Sequence, residues 1–134
     1  MPKAQVSMEY LSIIGFALML TIPLIVIFFS QSTSTTNQVN AEQSLQIARK
    51  IVDNAEDVYF LGQPSKRTIR VFVPENVEYI TIAKRAIIFG IETEGGISEI
   101  PVASKVNLTG NLTAAPGINN IVVESRGSEV FVSN

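Results

Sequence analysis

Cysteine, histidine and tryptophan are all missing from this chain of 134 residues. Without cysteine and histidine there are no disulfides, no thiolate or imidazole chemistry and none of the usual zinc ligands. The fold must therefore be held by its core. Charge is sparse as well: 10 basic residues against 12 acidic ones leave a net charge of −2. The cations are scattered, so the basic patch that marks a nucleic-acid binder is lacking. No Ser/His/Asp constellation and no glycine-rich phosphate loop exists, and neither an enzyme nor a cofactor is expected. The carboxylates Glu75, Glu78, Glu92, Glu94, Glu99, Glu124 and Glu129 mostly alternate with apolar residues, as on a solvated sheet face. Glu92, Glu94 and Glu99 could share one face across Gly95-Gly96 and hold a cation. No liganding loop accompanies them, and no metal is expected.

A further absence is more informative. From Tyr10 to Phe29 there is no charged side chain, and at about 1.5 Å per residue such a helix spans roughly 30 Å, the thickness of a hydrocarbon core. Glu9 stands at its mouth. Carried to mid-bilayer, a carboxylate costs about 2.5–3.5 kcal/mol, so Glu9 should lie near the interface or meet a cation. Ahead of it, residues 1–4 form a short head with one cation, Lys3, which favours a cytoplasmic N-terminus and an exported C-terminal part. The apolar run is too long for the core of a conventional secretory signal and is read as retained. Within it, Pro23 predicts a kink or local unwinding over Met19–Pro23, and Gly15 and Ala17 are small enough for close helix contact.

Residues 30–41 are polar and uncharged, either a linker or the middle of one long helix. From Ala41 onward Leu45, Ala48, Ile51, Val52, Ala55 and Val58 or Tyr59 recur at three and four, predicting an amphipathic helix that Gly62 and Pro64 end. Period-two alternation follows over 68–73, 77–83, 84–93, 97–106, 118–125 and 128–133, with turns at 74–76, at Gly95-Gly96 and at Arg126-Gly127. The expected fold is α+β: a long N-terminal hydrophobic helix continuing into an amphipathic helix, which covers an antiparallel meander of about five or six strands. Four regions result: a leader (1–4), a hydrophobic helix (5–29), a linker with an amphipathic helix (30–64) and a β-rich head (65–134). Between the last strands, residues 107–117 carry two Asn-x-Thr triplets, at Asn107 and Asn111, read as glycan acceptors on a surface turn.

At Gln5-Val6-Ser7-Met8-Glu9-Tyr10 the chain resembles archaeal type IV pilins with class III signal peptides, whose prepilins are cut just before a Gln-x-Ser-x-Glu-Tyr motif by a membrane aspartic peptidase. Gln5, Ser7, Glu9 and Tyr10 occupy all four defined positions. The resemblance extends to the short positive leader, the apolar helix and the β-rich domain. It implies cleavage between Ala4 and Gln5 and a helical homopolymer in which Glu9 pairs with the new α-amino group of a neighbour's Gln5. Gly15 and Pro23 would belong to the same assembly surface. Implied partners are the prepilin peptidase, the pilus assembly ATPase and its membrane platform protein, and an oligosaccharyltransferase. The protein would be single-pass in the membrane before assembly and an extracellular adhesion filament afterwards. The Ala4-Gln5 junction differs from the Lys/Arg-Gly site usual in archaellins. A minor pilin or pseudopilin, or a membrane-anchored β-domain that binds a ligand, are the alternative readings.

Overall fold

The computed structural model describes residues 2–134. One helix, α1 (Pro2–Leu61), precedes seven strands: β1 (Lys66–Val73), β2 (Val77–Ala83), β3 (Ala86–Thr93), β4 (Gly96–Ala103), β5 (Leu108–Asn111), β6 (Gly117–Ser125) and β7 (Val130–Ser133). The chain divides into two compact units, one ending at Asn37 and one comprising Gln38–Asn134. The α+β fold class is thus the one expected, a long N-terminal helix followed by sheet.

The first unit is helix alone. It is long and apolar enough to cross a membrane once, and none of its most apolar stretch is buried within the protein. The local unwinding expected at Pro23 is not seen, because the helix continues through it without interruption. Proline forfeits one backbone bond, to the Met19 carbonyl, and the good helix formers Leu18, Met19, Leu20 and Leu24 on either side keep the rest. The Ser/Thr-rich segment after Phe29 is helical too. Threonine hydroxyls there turn back onto carbonyls one turn earlier, Thr33 to Phe29 at 3.2 Å, Thr35 to Gln31 at 2.9 Å and Thr36 to Ser32 at 3.1 Å. Hydroxyls that would otherwise compete with the helix are satisfied inside it.

In the second unit, α1 buries Ser44, Ala48, Ile51, Val52, Ala55 and Val58. This is nearly the expected stripe, but Ser44 takes the place of Leu45, which is only half-buried, and Val58 rather than Tyr59 faces inward. The helix stops where Gly62 adopts a φ of 78° and donates its N–H to the Tyr59 carbonyl at 3.1 Å. Such a left-handed residue is the usual glycine helix terminus.

The strands do not form one meander. They make a four-stranded sheet in the order β1-β6-β7-β5 and a three-stranded sheet β2-β3-β4. Residues 74–76 were expected to join two paired strands. Instead β1 pairs antiparallel with β6, Phe72 opposite Ile118, and β2 starts the other sheet. Pro74 has no N–H to extend the β1 ladder, so the chain leaves one sheet there and enters the next.

β5 was not expected at all. It lies parallel to β7, the one parallel pairing among the described residues, where the other pairs are antiparallel, and its four residues are too short to show alternation. Pro101 does not break its strand, since it sits in β4, an edge strand opposite Ile88, where a missing donor is tolerated. The core gathers α1 and both sheets into one cluster, with Phe89, Ile87, Ile91, Ile121, Val123, Val130 and Val132 almost wholly buried. Each large side chain of this kind contributes about 1.5–3 kcal/mol on burial.

Candidate functional site

Ala4, Gln5, Ser7, Glu9 and Tyr10 all lie on α1 and are exposed. Helical spacing puts Gln5 and Glu9, four apart, on one face. Two ion pairs form among the described residues, Arg67 with Asp57 at 3.2 Å and Lys105 with Glu56 at 3.9 Å, so Glu9 has no cationic partner there. A side chain added at Gly15 would meet nothing within 4 Å. The smallness of this residue therefore serves no packing inside the chain. Around the same helix Tyr10, Phe16, Met19, Leu24, Phe28 and Phe29 are all more than half exposed, an apolar surface far beyond the scattered residues of a soluble monomer.

The two Asn-x-Thr triplets are not together on a free turn, because the first runs into β5. Asn107 is half-buried, its Oδ1 accepts from Arg85 Nε at 3.4 Å, and its carbonyl accepts from the Val130 N–H at 2.9 Å. The Thr109 hydroxyl is buried without a partner. Asn111, the last residue of β5, is exposed. Thr113 is exposed as well, and its backbone N–H and carbonyl are both held by the Asn134 amide, at 3.0 and 2.9 Å.

Between the triplets Gly110 has a φ of 120°, and a Cβ there would strike the Val132 carbonyl of β7. What looked like a turn glycine is the residue that lets β5 approach β7.

Glu92, Glu94 and Glu99 do not converge. Among the described residues no three Asp or Glu side chains gather closely enough to hold a metal ion. Glu99 instead accepts a hydrogen bond from the Tyr79 hydroxyl. That bond, aided by partial desolvation and by the adjacent negative charge, raises the Tyr79 phenol above its ordinary value.

One feature was not read from the sequence. A groove of about 330 Å³ lies between α1 and the free edge of β1, with Ile47, Lys50, Arg70, Val71 and Phe72 among the residues lining it. On the strand side the groove is marked by Arg70 and Phe72, the outward-facing positions of the β1 alternation. No family model, curated protein or solved structure matches the chain.

Proposed function

We propose that this chain is the structural subunit of an archaeal type IV adhesion pilus. It is made as a prepilin, cut between Ala4 and Gln5, and polymerised through residues 5–29. The observation that carries the reading is the string Gln5-x-Ser7-x-Glu9-Tyr10 heading a helix whose apolar side chains are exposed on every side. Such a surface calls for lipid before assembly and for other copies of itself after it. Cleavage creates an α-amino group at Gln5, and in a filament Glu9 of one subunit meets that amine on a neighbour. Each charge is costly alone in an apolar medium and tolerable in a pair. The contact joins different surfaces of two copies and does not close, the geometry of a filament.

The machinery acting on the chain would be the prepilin peptidase, the assembly ATPase with its platform protein, and an oligosaccharyltransferase. Of the two triplets, Asn111 is the more open acceptor. The test is the intact mass of the protein taken from its native cell surface. A chain beginning at Gln5, free or cyclised to pyroglutamate, with added mass on the 107–113 peptide, is the expected result. A chain retaining Lys3 and Ala4 would make it a tethered surface domain. A correctly processed chain that is scarce in sheared filaments would make it a minor pilin or pseudopilin.

A further inference from the structure

One stretch of the second unit is rich in acidic residues. Residues 74–103 carry Glu75, Glu78, Glu92, Glu94 and Glu99, and their two cations, Lys84 and Arg85, occupy the β2–β3 turn, at the other end of the strands from the β3–β4 turn. At that acidic end Glu92 stands directly opposite Ile97 in the β3–β4 register, so both project from one face. Ile97 is 57% exposed, and Glu94 follows in the two-residue turn. The hairpin tip is therefore an exposed aliphatic side chain flanked by carboxylates. Among the described residues neither Glu92 nor Glu94 has an ion-pair partner.

The groove beside β1 has the opposite character. Phe72 is 60% exposed, and Ile47 is a half-buried side chain packed against the core. Arg70 projects from the same strand face as Phe72, and Lys50 donates its Nζ to the Arg70 carbonyl at 3.2 Å. Neither cation has an acidic partner among the described residues. The Lys50 contact also occupies a carbonyl on an otherwise open sheet edge.

We propose that the groove receives the β3–β4 hairpin tip of a second copy of this chain. Ile97 seats against Phe72 and Ile47, and Glu92 and Glu94 meet Arg70 and Lys50. The two surfaces differ, so the contact is heterologous and repeats from copy to copy without closing. The proposal needs residues 38–134 only and stands apart from the pilus reading. A contact this small is weak alone, and it gains where another attachment holds copies at high effective concentration.

The absence of native cysteine makes the test clean. Gly95, where a side chain meets nothing within 4 Å, and exposed Gln46, on the groove wall, leave every proposed contact intact when replaced. Full-length Gly95→Cys and Gln46→Cys chains are mixed in detergent micelles under mild oxidation. The expected result is a mixed disulfide dimer forming faster than either homotypic one. Arg70→Glu in the Gln46→Cys chain slows it about tenfold or more, and Glu94→Lys in the Gly95→Cys chain restores it. Glu94→Lys alone, a change in an exposed turn, slows it as well. Homotypic dimers forming as fast as mixed ones, or charge reversal without effect, overturn the proposal. The mass at Gln5 is untouched by either outcome, so failure here and failure of the pilus reading are distinguishable.

Discussion

The Tyr79 hydroxyl on β2 donates a hydrogen bond to the Glu99 carboxylate on β4, although β3 lies between the two strands. The residue of β3 crossed on the way is Gly90, in register with both Tyr79 and Glu99. A Cβ at Gly90 would overlap the Tyr79 ring. Glycine at this position is what allows the ring to lie flat across the strand, a covering of a sheet glycine by a neighbouring aromatic. Gly90→Ala must displace a rigid ring, and a loss of about 1–3 kcal/mol is expected from such overpacking, read by denaturant unfolding of the full chain in micelles. Tyr79→Phe keeps the ring over Gly90 and is expected to cost less than Gly90→Ala.

The same pair sets a pH dependence. The folded phenol titrates above its unfolded value of 10.0. The stability it contributes is therefore whole below the unfolded value and is lost as pH rises through the higher folded one. The difference in tyrosinate absorbance between wild type and Tyr79→Phe isolates this group. A difference curve centred at or below the unfolded value would show that the hydrogen bond does not persist in solution.

Gly110→Ala tests the parallel β5–β7 pairing. Both its φ of 120° and the Val132 carbonyl stand against a side chain. Strain and overlap together are expected to cost on the order of 3 kcal/mol. Faster amide exchange should be confined to β5, β7 and their neighbours. Gly15→Ala meets open space and is expected to leave the fold unchanged, so any loss it causes should appear in assembly.

Ile51 is fully buried on the core face of α1, whereas Phe60, the last residue but one of the helix, is 75% exposed. Ile51→Ala is expected to destabilise by about 2–5 kcal/mol and Phe60→Ala by no more than about 0.5 kcal/mol, measured by the same unfolding transitions. Equal effects would mean that Phe60 is covered in solution.

On the proposed pilus reading, Glu9→Ala is expected to insert, fold and be cut before Gln5, yet to give few filaments, because the incoming subunit would then lack the charge proposed to pair with a neighbour's amine. Filament yield after shearing, compared with the amount of processed protein in the membrane, reads the two steps separately. Normal yield would refute the pairing of Glu9 with a neighbour's amine.

Elements whose cause is local are written along the chain. Twenty uncharged residues make a helix of membrane length, the three-four spacing from Ala48 to Val58 makes its core face, and Gly62 ends it. Alternation located six of the seven strands, since the side-chain period of two is written in each strand separately.

Which strands are neighbours emerges only in the folded chain: that β1 joins β6 rather than β2, that β5 exists beside β7, that Gly90 lies under the Tyr79 ring, that Gly110 is a place of close approach rather than a turn, and that Lys50 reaches β1. Pairing depends on residues far apart in the chain meeting across shared core. A four-residue strand such as β5 carries too little pattern of its own to declare itself before its partner is in place.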